Sequence, residues 1–474
     1  MTMEYDKDIA DFAIKYATTL GCSYAEARFE HSSQNGVVIK NGVPQISSFG
    51  KVSGLGIRFI ISKTLGFMST NVLTKETVKS LLEKAVKATK RGSRIGEEIQ
   101  LTNEEAYTDK YEVKQKIKLD SVDPEEKMQL LLDAEKEIMD LKVNVPGRFI
   151  SLSDNTTTEY LVNSDGTQLL ATVPKVNFFY FLTIQEKNKT CQRYWQYGNS
   201  GGFEFVKKWD IPKLLSEEVK SQHEQLRRGI KTPKGVQDLV VAPQVVGIMV
   251  HESVGHPYEA DRIFGREAAQ AGESFVTPDM IGTRIGSDVV TVVDDPTLEN
   301  SYGFFKYDNE GIKARRKYLM KEGIITEFLH NRETAVHMGL TSNGSSRAVD
   351  YDKESIVRMS NTFMLPGDYS EEELIEGITK GIFMKNFMEW NIDDKRLNQK
   401  YVGAEAYLIK NGRLTERVMN PCLEISTPDL WKAVDAVAKN TEYHSGNCGK
   451  GEPMQAIPVW FGGPSIRFKN LRIK

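Results

Sequence analysis

The stretch "VHESVGHPYEAD", residues 250–261, sets two of the chain's seven histidines five positions apart and puts Glu252 directly after the first. Two imidazoles can hold a divalent metal such as zinc, and a neighbouring carboxylate that does not bind the ion can act as general base to a water activated there. The spacing is awkward for that task. On a regular α-helix, residues five apart point about 140° away from each other, whereas a spacing of four puts both rings on one face. Gly255 and Pro257 offer a way out, because glycine readily leaves helical geometry and proline disfavours it in the residue before. The helix is therefore expected to end at Gly255-His256 and let His256 swing back beside His251. Glu252 lies in another sector of the helix, where a general base should be.

Two histidines leave a third protein ligand to find, with the fourth position kept for water. Glu259, Asp261, His444 and the distant Cys448 in "SGNCGKGE" are the candidates. A thiolate in a glycine-flanked turn suits the task, because it is soft and the backbone can approach closely. Glu259 and Asp261 are equally placed to orient an imidazole N–H from behind. The residue types leave the choice open. Cys22, Cys191 and Cys422 read as small apolar residues, and His31, His223, His330 and His337 as solvated or hydrogen-bonded.

The elements that must position these groups are legible around them. "VQDLVVAPQVVGIMVHESVGHP" reads as a strand, a tight turn and a helix begun by Pro243, apolar on nearly every side and so buried. Upstream, Ile9, Phe12, Ala13, Tyr16 and Ala17 recur at helical spacing in a first helix. Alternating residues around Asn41-Gly42 predict antiparallel hairpins. Thr74 and Asp123-Pro124 open two helices that cover that sheet. Residues 98–120 read as a charged surface excursion without function, and "VNFFYFLTI" as a buried strand after a turn at Asp165-Gly166. A helix with Leu214, Val219 and Leu226 ends at punctuation by Pro233 and Gly235, where the domain boundary is placed. Beyond it come short strands and the Asn411-Gly412 hairpin. The expected fold class is α/β in the α+β sense, with two domains: residues 1–230, mixed α/β with antiparallel hairpins and helices, and residues 231–474, β-rich and carrying the HExxxH motif and Cys448.

Composition bounds the function. A chain of 474 residues exceeds one ordinary core. A formal charge of -3 gives no general attraction to nucleic acid or anionic lipid, so neither is an expected partner. The most apolar stretch, residues 239–250, is too short to cross a bilayer, and four scattered cysteines fit reduced thiols in a cytoplasm. No nucleotide-binding glycine motif and no serine-hydrolase elbow occurs.

In "GFMSTNVLT", "HESVGH", "GTRIGSDVVTVVDDPT", "RMSNTFMLPGD", "AEAYLIKNGRLTE" and "CGKGE", taken in order, the chain resembles the TldD/PmbA metalloproteases, and within them the zinc-bearing TldD branch. The resemblance implies a Zn2+ site with His251, His256 and Cys448 as ligands and Glu252 as catalytic acid/base. It implies a peptidase of short or unfolded polypeptides, with its active site enclosed between subunits of a dimer. The partner is a metal-free sister subunit or a second copy. Pro257-Tyr258 departs from the smaller residues common in the family and bears on pocket shape. Two other functions compete: a non-catalytic scaffold with structural or no zinc, and a zinc amidase acting on small non-peptide molecules. Cys422 and His444 match no site residue of the family and are left without a role.

Overall fold

The computed structural model describes residues 3–95, 97–266 and 273–474. Helix α1 (Met3–Thr19) buries Ile9, Ala13 and Ala17 against a sheet that begins with β1 (Tyr24–Lys40), β2 (Val43–Ile61) and β3 (Thr64–Thr70). Asn41 and Gly42 turn β1 into β2 with both φ angles positive, at 50° and 82°, the conformation a tight two-residue hairpin requires. Thr74 caps α2 (Lys75–Gly92) by accepting from the Thr77 N–H at 3.2 Å, a bond worth about 1 kcal/mol. Val78, Leu82 and Val86 are its buried stripe.

The segment expected to be featureless contributes β4 (Thr108–Glu112), which pairs parallel with the strand Gln168–Glu186. Its charged outer residues hid a short strand whose partner lies sixty residues away. Helix α3 (Pro124–Asp140) is followed by the long antiparallel strands β5 (Asn144–Asn163), β6 (Gln168–Glu186) and β7 (Lys189–Ser200). The sheet order is β3-β2-β1-β5-β6-β4, and β7 shares the outer side of β6 with β4. Along β6, Val176, Phe178, Tyr180 and Leu182 enter the core while Phe179 and Phe181 face the other way, as the period of two demands. Helices α4 (Glu204–Trp209) and α5 (Ile211–Arg228) follow, and α5 packs on α3 and β6.

The second half holds more strand than helix. Strand Gly235–Val241 lies at the centre of a ten-stranded sheet, between Lys380–Met384 and Ile466–Ile473, and leads through Ala242 into α6 (Pro243–Val250). A six-stranded sheet runs from Ile324–Ile325 to the edge strand Glu442–Lys450, which among the described residues pairs only with Gln455–Gly463. The largest apolar cluster draws side chains from both halves, including Phe178 and Trp195 from one and Val246, Met359 and Phe461 from the other. Mixed α and β elements in this layout agree with the expected fold class.

Among the described residues no helix is long and apolar enough to cross a membrane.

Candidate metal centre

Helix α6 does not stop where the sequence suggested. Its winding widens instead: residues His251–Gly255 form a π-helical turn, closed by the His256 N–H donating to the His251 carbonyl, and His256–Tyr258 tighten into a 3-10 turn. An i→i+5 turn returns the fifth residue to the starting face. That brings the two rings together, with centroids 4.8 Å apart. Gly255 stays in right-handed helical space, with φ at -56°, so its freedom at positive φ is not used. Its missing Cβ matters through packing, since a methyl there would overlap the Met359 sulfur.

Cys448 arrives from the edge strand Glu442–Lys450. Its Sγ lies 3.2 Å from His256 Nε2, and the donor atoms of His251, His256 and Cys448 all fall within 4.8 Å of one another. All three side chains are buried. Zinc bound tetrahedrally by nitrogen and sulfur separates its donors by about 3.3–3.6 Å, so the donor types suit the ion and the widest pair would have to close by about 1 Å on binding. His251 Nδ1 is buried with no hydrogen-bond partner among the described residues, an arrangement that costs free energy unless something else satisfies it. Burial would raise the Cys448 thiol, but His256, His251 and Arg358 overcome it and hold the group well below the usual thiol range. Burial likewise disfavours a charged His251, and Cys448 then Glu252 outweigh it, raising the imidazole. A thiol shifted down beside an imidazole shifted up suits a site where a cation takes the place of protons.

The other candidates sit elsewhere. Glu259 accepts from His256 Nδ1 at 2.9 Å and from Arg262 Nε at 2.9 Å, with Lys450 Nζ at 3.3 Å. Burial opposes its charge, yet Lys450, His256 and Arg262 together hold it well below the usual carboxylate range. It therefore backs His256 and fixes which ring nitrogen faces Cys448. Asp261 is bound by Lys450 Nζ at 2.7 and 2.8 Å. His444 packs edge-on against Trp195, and burial pushes it down to about 3. Cys422 is half-buried away from the cluster, and burial pushes Cys191 up to about 11. His31, His223, His330 and His337 each have a hydrogen-bonding neighbour: Ser53, Glu186, Thr334 and Arg266.

Glu252 is buried too, and Arg396 Nη1 donates to its Oε2 at 2.6 Å. Sequence reasoning missed Arg396. It sits in the turn between strands Phe387–Ile392 and Asn398–Gly403, at φ 62°, held by its N–H to the Asp393 carbonyl and by Thr427 Oγ1 donating to its own carbonyl. Nothing in "DDKRLN" marks it. Lys450 and Arg358 were missed as well, although Lys450 lies only two residues past Cys448.

His251, Glu252, His256, Arg396 and Cys448 all line one cavity of about 300 Å³. The edge strand forms another wall. The Trp460 N–H donates to the Ser360 carbonyl at 3.2 Å, away from the edge strand, so antiparallel alternation leaves the N–H and C=O of Tyr443, Ser445 and Asn447 on its free side.

Comparisons with known proteins agree on one family. The model of the PmbA/TldA metallopeptidase C-terminal domain matches residues 234–474, that of domain 1 residues 25–89, and that of the central domain residues 117–226. A metalloprotease of Methanocaldococcus jannaschii is 34% identical over 447 residues, 94% of this chain and 95% of that protein. A zinc metalloprotease TldD homolog of Saccharolobus solfataricus is 26% identical, covering 97% of this chain and 98% of its own length. Among solved structures, TldE from Thermococcus kodakarensis superposes with a TM-score of 0.76 at 16% identity, over 98% of this chain and 99% of that one. A putative modulator of DNA gyrase from Bacteroides thetaiotaomicron does so with a TM-score of 0.77 at 20% identity, over 100% and 99%. At those identities the likeness is one of fold.

Proposed function

The chain belongs to the PmbA/TldA metallopeptidase family, and on that premise we propose that it is a zinc-dependent peptidase of short or unfolded polypeptides, with Glu252 as general base and acid. The supporting observation is that the three clustered donors, Glu252 and residues Ser445 and Asn447 of the edge strand line one cavity. His251, His256 and Cys448 would hold the ion. When bound, zinc supplies Lewis acidity: it makes water acidic enough to ionise near neutral pH and polarises a carbonyl.

The remaining work falls to the chain. Tyr443, Ser445 and Asn447 offer main-chain hydrogen bonds to an extended peptide, and a folded domain cannot present its backbone that way. Glu252 takes the proton of the attacking water and returns it to the leaving amine, one group serving in turn as base and acid. Arg396 fixes the Glu252 carboxylate in place, and Glu259 fixes His256. Among the described residues no fourth His, Cys, Asp or Glu joins the cluster, and its cavity side leaves room for water, as a catalytic site needs and a structural one does not.

The proposal extends to a cytoplasmic dimer of two-domain subunits, divided near residue 230 and paired with a second copy or a metal-free sister chain. The like fold of the chain named TldE is its support. The test compares an unfolded casein-type protein with a small amide. Casein hydrolysis that is lost on chelation and restored by zinc is expected. Hydrolysis of the amide alone would favour a small-molecule amidase, and no hydrolysis with either assembly a scaffold.

A further inference from the structure

Beside the three donors, the cavity is walled by aromatic rings from both halves of the chain. Phe179 comes from β6, Tyr194 and Trp195 from β7, Phe387 and Trp390 from strand Phe387–Ile392, and Phe461 from Gln455–Gly463. All but Phe179 form a connected set. Trp195 meets Phe387 edge-on at 5.6 Å and Phe461 at 6.0 Å, Phe387 meets Trp390 edge-on at 5.4 Å, and Tyr194 lies 6.2 Å from Trp390.

Two facts set this apart from ordinary core packing. Trp195, Phe387 and Phe461 are buried as a core would bury them, but Phe179, Tyr194 and Trp390 remain partly exposed around the open volume. The neighbouring cleft of about 1030 Å³, which shares the Trp195 ring, is lined by mixed acids and bases and selects no single class of side chain. Next to the donors the rings share the lining with few charges, Glu252 and Arg396 besides the imidazoles, while polar main chain runs along the edge strand.

We infer that this cavity is a specificity pocket for a large apolar side chain, aromatic before aliphatic, on a residue flanking the scissile bond. The inference rests on the peptidase reading above and deepens it. An extended chain lying along Tyr443, Ser445 and Asn447 is held by main-chain bonds that read no sequence, so discrimination must come from a side-chain pocket. Rings with part of their surface on the cavity offer edge-to-face partners to an entering ring, which a methyl cannot use and a carboxylate loses solvation to reach.

Two measurements test it. Peptides that differ only at the residue flanking the cleaved bond should be cut in the order Phe, Leu, Ala, Asp, with kcat/KM for Phe about 100-fold above Ala. Trp390→Ala should shrink that ratio about tenfold or more without changing bound zinc. Equal rates for Phe and Ala, or an unchanged ratio in Trp390→Ala, would overturn the pocket while leaving the peptidase reading intact. The second measurement needs no catalysis: chelator-treated protein is titrated with an uncleavable Phe peptide and its Ala counterpart by calorimetry. Tighter binding of the Phe peptide, weakened in Trp390→Ala, supports the pocket even if no peptide is ever cut. Equal binding of the two contradicts it.

Discussion

Arg396 and Glu252 divide one task between them, because a base that must receive and then release a proton has to sit at a fixed point. Replacing Arg396 by Ala removes the 2.6 Å bond that fixes the carboxylate. It should lower kcat about 10- to 100-fold with little change in KM, the signature of lost positioning, and Arg396→Lys should recover only part because ammonium lacks the planar fork. Steady-state kinetics on one peptide reads both. Glu252→Gln should retain zinc by elemental analysis and lose activity by about 10²- to 10⁴-fold, since the amide cannot take the proton. At this scale the sequence was most informative about residue types: His251, Glu252, His256 and Cys448 were nameable, the last through family likeness. Arg396 was not, because its position depends on a hairpin turn that folds a distant arginine onto the π turn after α6. The second role weighed for Glu259, behind an imidazole, is the one its 2.9 Å contact supports.

The π turn is the element on which the site depends. A spacing of five histidine to histidine was readable, but the way the backbone accommodates it was not, because local residue preferences pointed to a break at Gly255 and Pro257. The packing of Met359 against Gly255 decides otherwise: it demands a residue without a side chain while the chain remains helical. Gly255→Ala should therefore cost about 1–3 kcal/mol of stability through overpacking and weaken zinc retention by displacing His256. Adding Met359→Ala should restore part of both, as thermal unfolding and zinc content would record. No recovery in the double variant would mean that Gly255 acts through the backbone. The strand β4 was missed for a similar reason, since a five-residue edge with charged outer positions carries no pattern without its partner.

Across the whole molecule, the halves meet through buried charge as well as through the shared core. Arg58 of β2 bonds Glu310 at 2.6 Å, and Arg28 of β1 donates to the carbonyls of Asp350 and Lys353, each at 2.8 Å. Glu30, in the same strand, is pushed up to about 8 by burial, then by Glu159 and Asp350. Between its ordinary value of 4.5 and that raised value, the folded chain binds a proton that the unfolded chain releases, so Glu30 makes stability fall as pH rises through that window. Lys175, lowered to about 7 by burial and then Arg347, gives the opposite slope only above pH 7. Glu30→Gln should therefore flatten the decline in melting temperature between about pH 5 and 7, by an amount worth at least about 1 kcal/mol. A wild-type curve that rises over that range, or an unchanged slope in the variant, would contradict the assignment. Such contacts between β1 and residues three hundred positions away leave no trace in local sequence, although the element types on either side of residue 230 do.

The most direct test of the account is zinc-edge X-ray absorption on the zinc-loaded protein. It predicts one sulfur scatterer near 2.3 Å, two imidazole nitrogens near 2.0–2.1 Å, and a fourth light-atom position that changes when an inhibitor with a zinc-binding group is added. A spectrum without sulfur, or a closed shell of four protein donors indifferent to the inhibitor, would contradict it.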